Sequence, residues 1–230
     1  MTRRLFWEDA YTKEFDARVI SVGDDRVVLD QTAFNPRGGG LVSDTGTLAD
    51  AAVREVVKEG DEIFHLVAGG SFKPGDVVHG KLDWERRYRI MRMHTSAHII
   101  SAIVNGLSGA MITGNQIAPD ESRVDFNLEP FDKDVVSGYI DKVNAEAERG
   151  LDVRSYFMKR DEALRMPGMV KLANAAPPSV ETLRIVEIGD VDTQADGGVH
   201  VKNTREIGTV SVVRTENKGK SNRRLYFTVG

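Results

Sequence analysis

The chain has 230 residues, with 31 basic and 35 acidic side chains and a net charge of −4. A hydrophobic content of 40% with 29% charged residues is that of a globular protein and excludes global disorder, and the lack of cysteine excludes disulfide scaffolds and every thiolate site. No apolar run approaches the roughly 18 residues of a membrane span, and acids stand in MTRRLFWEDAYTKEF where a signal peptide would carry its apolar stretch, so a cytoplasmic location is expected.

Residues 1–85 read as strands and turns. ARVISVGDDRVVLDQTAF alternates and is split by Gly-Asp-Asp, a hairpin signal. TGTLADAAVREVVKEGDEIFHLV and VVHGKLDW continue in short β-rich pieces, which suits a small barrel or sandwich. FNPRGGGLVSDTG (34–46) interrupts them. Three successive glycines support neither strand nor helix cheaply. The segment is expected to be a loop whose backbone passes close to something, or else a flexible connector.

The character changes near Trp84. From Glu85 to Leu107 there is no proline, and Ile90, Met91, His94, Ala97, His98 and Ser101 follow helical spacing, with Gly106 and Gly109 as stop signals. A strand is expected at 123–128. A second helix follows in DKDVVSGYIDKVNAEAERG, with Val135, Val136, Tyr139, Ile140, Val143 and Ala147 as its apolar stripe. DVRSYFM reads as a strand and RDEALRM as a short helix stopped by Pro167-Gly168. LRIVEI, TVSVVRT and RRLYFTV read as three more strands. The second half is therefore α+β. The expected organisation is an N-terminal β domain over 1–86, containing the glycine-rich loop, and an α+β domain over 87–230, packed directly against each other.

Charge is unevenly placed. Residues 1–85 carry a net of −6 and residues 86–230 a net of +2. RRYRIMR (86–92) holds four arginines and no acid, and RTENKGKSNRR (214–224) holds five basic residues against Glu216. Such runs suit a polyanion; the plainer alternative is a solvated face.

The sharpest chemical signal is His94-Thr95-Ser96-Ala97-His98. Residues four apart share one face of a helix, one turn above the other, so two imidazoles can address one ion. Alone, the pair reads more readily as a satisfied core or surface pair. Asp196-Gly197-Gly198-Val199-His200 repeats the spacing on what its glycines mark as a tight turn. Together the two segments supply three histidines and one carboxylate, enough for a tetrahedral zinc site. His65 and His79 stand at no useful spacing and read as structural or surface residues.

HTSAHI, DTQADGGVHVKNTREIG and KGKSNRRLYF resemble signature segments of the alanyl-tRNA editing proteins (the AlaX family), relatives of the alanyl-tRNA synthetase editing domain. FNPRGGGLVSDTG resembles the glycine-rich motif of the β-barrel that precedes that domain in longer members. The resemblance implies a small N-terminal β-barrel followed by an α+β editing domain like the second additional domain of the synthetases. It implies hydrolysis of mischarged tRNA(Ala), chiefly the seryl and also the glycyl form. It further implies one zinc per chain, with ligand roles for His94, His98 and His200. Asp196 stands where the family often has cysteine and is expected as the fourth ligand, the alternatives being a place behind the ligands or a role on water. Leu41 replaces the glutamine that usually ends the glycine-rich motif, and Val199 the threonine common before the last histidine.

No catalytic residue is fixed; Asp196 and Gln116 are the candidates. Arg123, Gly38, Gly39, Gly40, Lys218, Lys220, Arg223 and Arg224 are candidates for contact with substrate or tRNA. The expected partner is mischarged tRNA(Ala), with no membrane and no productive ATP binding, since GxxxxGK[ST] is absent. Two rivals remain at this point: a non-catalytic, zinc-stabilised tRNA-binding module and a metallohydrolase of small esters.

Overall fold

The computed structural model describes residues 1–128, 133–166, 180–219 and 222–230. The chain divides into two units, Met1–Ile90 and Met91–Gly230.

The first unit opens with β1 (Arg3–Arg4) and the single-turn α1 (Leu5–Glu8), then β2 (Glu14–Gly23), β3 (Arg26–Leu29), β4 (Gln31–Thr32), β5 (Gly46–Leu48), β6 (Ala51–Glu59), β7 (Glu62–Ala68) and β8 (Val77–Leu82). β1 pairs with β4 in parallel. The other six strands run β2-β3-β7-β6-β5-β8, and β8 bonds back to β2, so this sheet closes on itself. Period-2 alternation sets its interior: Phe15, Ala17 and Val19 of β2 are buried while their neighbours are exposed. Asp24 takes a left-handed φ of 49° in the turn between β2 and β3, as the Gly-Asp-Asp signal implies.

The glycine-rich loop departs from expectation. Gly38 and Leu41 exchange two backbone hydrogen bonds, at 3.2 and 2.9 Å. Gly39 and Gly40 between them have φ of 60° and 92°. This is a two-residue turn with both central residues left-handed, which only glycine and a few polar residues adopt cheaply. A Cβ on Gly38 or Gly39 would meet open space. Among the described residues nothing crowds Gly38 or Gly39, and the handedness of the turn accounts for Gly39 and Gly40. Leu41 is buried.

The run 86–92 is likewise not an open cationic face. Arg87 is fully buried against Asp44, donating Nε to its two oxygens at 2.9 and 3.0 Å and Nη2 to Oδ2. Nη1 and Nη2 also reach the carbonyls of Ala10 (2.9 Å) and Ala33. Arg86 donates to the Ser43 carbonyl, and Arg92 to the carbonyls of Ile207 and Gly230. Removing one partner of such a buried pair strands the other charge in the core and costs about 3–5 kcal/mol.

In the second unit, α2 (Trp84–Ser108) begins before the division and carries most of its length past it. Gly109, at φ 71°, ends it; Gly106 lies inside it. Then follow β9 (Ile112–Gln116), β10 (Ser122–Phe126), α3 (Lys133–Glu148), β11 (Val153–Lys159), α4 (Arg160–Ala163), β12 (Thr182–Ile188), β13 (Asp192–Ala195), β14 (Val210–Asn217) and β15 (Arg223–Val229). They form a four-stranded sheet, β14-β15-β10-β9, and a three-stranded sheet, β11-β12-β13. The mixed α+β character matches the sequence reading. Val136, Ile140, Val143 and Ala147 form the buried stripe of α3, but Val135 is 45% exposed, one helical step off that stripe. Pro167 and Gly168, expected to stop the short helix, lie outside the described residues.

Two predictions follow from the buried polar groups of the first unit. Arg87→Ala should lower stability to urea by about 3–5 kcal/mol, and Arg87→Lys should recover only part, since a compact ammonium lacks the fork that reaches Asp44, Ala10 and Ala33 from three separate nitrogens; a loss below about 1 kcal/mol would refute the pair's importance. His65 is buried, with Nδ1 on the Val27 carbonyl (3.0 Å) and Nε2 on the Thr32 hydroxyl (2.8 Å). Burial pushes it down to about 4 from its ordinary 6.5. As pH falls between those values the unfolded chain binds a proton that the folded chain cannot, so stability is lost. From about pH 7 to about pH 5 the loss should be about 2 kcal/mol, and His65→Gln should abolish that share. Parallel urea midpoints against pH for the two proteins would count against this assignment.

Candidate metal centre

From Met93 to Ser101, α2 has most of its residues buried, including His94, Thr95, Ser96, His98 and Ser101. Its hydroxyls satisfy themselves locally. Thr95, Ser96 and Ser101 donate to the carbonyls of Met91 (2.9 Å), Arg92 (2.8 Å) and Ala97 (2.6 Å). His94 and His98 stand one turn apart on this helix.

The other two groups come from the turn after β13. Asp196 Oδ2 accepts from the Gly198 N–H at 2.7 Å, which folds the segment back on itself. Arg184 of β12 donates Nη1 to the carbonyls of Asp196 (3.1 Å) and Gly198 (3.0 Å) and braces the turn. Asp196 and His200 thereby face the helix. One donor atom each from His94, His98, Asp196 and His200 lies within 4.8 Å of the others. His94 Nε2 is 3.6 Å from Asp196 Oδ1, and His200 Nε2 is 3.1 Å from Oδ2. The three ring centroids are 4.1 to 4.9 Å apart.

The outer nitrogens fix the protons. His94 Nδ1 meets the Val199 carbonyl at 3.2 Å, an acceptor only, so this nitrogen donates. His98 Nδ1 meets the buried Asp192 carboxylate at 2.8 Å and donates as well. His200 Nδ1 meets the Thr95 hydroxyl at 3.1 Å, whose own proton goes to Met91, so it too donates. A neutral imidazole has one N–H. Each Nε2 therefore presents a lone pair. Burial pushes His200 down to about 4, and burial together with the neighbouring His200 pushes His94 well below its ordinary value. Burial opposes the charge on Asp196, and only histidines that carry a proton toward it hold its carboxyl well below the usual carboxylate range. Neutral lone pairs and a carboxylate packed this closely repel unless a positive charge lies among them. The donor set, three imidazole nitrogens and one oxygen, fits zinc, and the carboxylate, hydroxyl and carbonyl behind the rings are the usual outer partners of ligating histidines.

The remaining expected residues fall into a different arrangement. On one face of the four-stranded sheet, Arg123 donates to Gln116 Oε1 (3.3 Å) and to Asp125 Oδ2 (2.8 Å). Arg224 clamps the same Asp125 with two bonds of 2.7 Å. Arg223 is buried and donates to the carbonyls of Gly219 (2.9 Å) and Asn222 (3.0 Å). Lys218 pairs with Glu216 at 2.8 Å. The described cations of 214–224 thus have carboxylate or carbonyl partners, Lys218 on an exposed pair just past β14; Lys220 lies outside the described residues. Gly38, Gly39 and Gly40 form the exposed turn of the first unit. Val199 contributes its carbonyl to His94. Sequence reasoning missed Asp192, Thr95 and Arg184. Thr95, between the two histidines, and Asp192, in the same segment as Asp196, were within sight; nothing local marks Arg184.

Residues 183–226 match the family model described as threonyl and alanyl tRNA synthetase second additional domain, and residues 7–86 match that of class II (A) tRNA synthetases. The chain is 44% identical to the alanyl-tRNA editing protein AlaX-M of Saccharolobus solfataricus over 236 residues, covering 100% of this chain and 99% of that one. It is also 44% identical to the AlaX-M protein of Methanosarcina barkeri, with the same coverage. Against the alanine–tRNA ligase of Pyrococcus furiosus the identity is 37%, and the match covers 26% of that longer enzyme. Among the described residues no helix is long and apolar enough to cross a membrane. Full-length identity of this order, with both halves matched by synthetase domains, places the chain in the AlaX-M family of alanyl-tRNA editing proteins.

Proposed function

We propose that this chain is a zinc-dependent deacylase that clears mischarged tRNA(Ala), chiefly of serine and also of glycine. The reading rests on one observation above all: three imidazole lone pairs and one carboxylate converge in a chain that belongs to an editing family. In the reaction, water adds to the ester carbonyl and the bond to the ribose oxygen breaks, releasing the free amino acid and a tRNA hydroxyl. Zinc, when bound, supplies Lewis acidity to water or to the carbonyl. His94, His98 and His200 would hold the ion through Nε2, and Asp196 through a carboxylate oxygen. Asp192, Thr95 and the Val199 carbonyl keep the three Nδ1 protons and so the ring orientations. Gln116 and Arg123 offer polar groups from the sheet. A polar site that prefers a substrate hydroxyl can disfavour the analogue lacking it by factors of up to about 10⁴, which would spare alanyl-tRNA; glycine lacks the hydroxyl as well, so its slower turnover would need the room left by its missing methyl to admit a water in the hydroxyl's place.

One feature favours a second reading. Four protein donors is the count of closed, structural zinc sites, whereas catalytic sites keep a position open. A zinc-stabilised tRNA-binding module without turnover has that count.

Elemental analysis of the purified chain should find about one zinc per chain, and full zinc in a His94→Ala, His98→Ala double variant would refute the site. Asp192→Asn removes no ligand yet should weaken zinc binding by about 10–100-fold; an unchanged affinity would show that the outer carboxylate is immaterial.

Deacylation of seryl-, glycyl- and alanyl-tRNA(Ala) decides between the two functional readings. The expected result is turnover of the first, slower turnover of the second and none of the third. Zinc-loaded protein that binds tRNA and hydrolyses none of them is the binding module. If Asp196 is a ligand, Asp196→Ala should lose zinc affinity and keep part of its activity. Full zinc with turnover reduced by about 10²–10⁴-fold would instead assign it to proton transfer.

A further inference from the structure

The first unit contains a cleft of about 550 Å³ that has no part in the metal centre. Three guanidinium groups line it, from Arg37, Arg54 and Arg86, with Asp25 and Glu55 as the acids. Their charges are not equally compensated. Arg37 pairs with Glu55 at 2.9 Å. Arg86 donates Nε and Nη2 to the Ser43 carbonyl at 3.4 and 3.2 Å, a neutral acceptor that leaves its charge in place. Arg54 is exposed and has no ion-pair partner among the described residues.

The backbone aims Arg54 there. Across β6 and β7, Val53 faces Val67 and Glu55 faces Leu66, so Arg54 is the extra residue of a β-bulge with nothing opposite it. Bulges of this kind redirect a side chain and recur beside binding sites. Leu66 and Val67, across from the bulge, form part of the cleft wall. Arg37 and Val42 on that wall are also the two ends of the segment that carries the exposed glycine turn. The N–H groups of Gly39 and Gly40 have no acceptor among the described residues. Free amide donors and uncompensated guanidinium forks belong to one chemistry, the recognition of phosphate oxygens.

We propose that this cleft takes the phosphodiester backbone of the RNA partner, with Arg54 and Arg86 as its charged contacts and the glycine turn at its rim. The proposal rests on the tRNA reading above. It places backbone contacts on the unit that carries the net negative charge, where the overall charge would not have led one to look for them.

The test uses the full-length chain and an uncharged tRNA(Ala) transcript, with affinity measured across a salt series. Arg54→Gln and Arg86→Gln should each make the log–log salt slope shallower by about 0.7–0.9, and the double variant should bind about tenfold or more weakly near 0.1 M salt. Arg18→Gln, whose guanidinium donates to the Gly75 carbonyl away from the cleft lining, should change neither quantity, which separates a local contact from loss of net charge. Arg54 makes no side-chain bond among the described residues that its loss could break, so its single variant remains decisive if Arg86→Gln unfolds. A wild-type slope and affinity in Arg54→Gln would overturn the cleft while leaving deacylation of seryl-tRNA(Ala) to stand. Absence of any salt-dependent tRNA binding by the wild-type chain would overturn both.

Discussion

The arrangement at the metal centre follows from where three protons are not. Each imidazole has its single N–H turned outward, to a carbonyl, a carboxylate or a hydroxyl that cannot give a proton back. What remains inside is a ring of lone pairs and one carboxylate, in a volume from which water is largely excluded. Such an interior is unfavourable by itself and favourable around a cation. The outer acceptors therefore matter as much as the inner donors. Exchanging Asp192 or Thr95 for a group that offers a proton would turn a ring nitrogen around without moving any backbone.

The same bookkeeping of donors and acceptors runs through the rest of the chain. Arg87 is buried because all three nitrogens of its guanidinium have acceptors: Asp44 for Nε and Nη2, and the carbonyls of Ala33 and Ala10 for Nη2 and Nη1. The hydroxyls of α2 turn back onto their own helix, which lets a stretch rich in Ser and Thr sit in the core. On the four-stranded sheet, Asp125 between Arg123 and Arg224 forms a closed ionic row. Gly114 stands beside it, where a Cβ would come within 3.3 Å of the carboxylate. Burying charge is costly unless it is paired and fully hydrogen-bonded, and these residues meet that condition.

This explains what could be read in advance. The helical spacing of HTSAH and the turn chemistry of Asp196–His200 are local, so the four donor residues were legible before any coordinates. The handedness demanded by Gly39 and Gly40 was legible as a loop, but its cause was misjudged, because a requirement for positive φ and a requirement for close approach both select glycine. The arginine runs were only partly legible for a related reason. A cation bound for an internal carboxylate and one bound for solvent look alike in sequence, and the partner of Arg87 lies 43 residues away. Asp192 is the opposite case: it lay inside a segment already singled out, and only the long-range approach of β13 to α2 reveals what it does.

The two halves of the metal centre are each short in sequence and very far from one another. His94 and His98 are one helical turn apart, Asp196 and His200 one tight turn apart. The bonds that join them, His98 to Asp192 and Thr95 to His200, span 94 and 105 residues. Closing so long a loop is an entropic cost that grows only slowly with length, and an ion gripping both ends would lock it shut. In a chain without a single cysteine, such an ion would take the place of a disulfide: a staple that forms without an oxidant, tightens as its ligands lose their protons, and comes undone with a chelator.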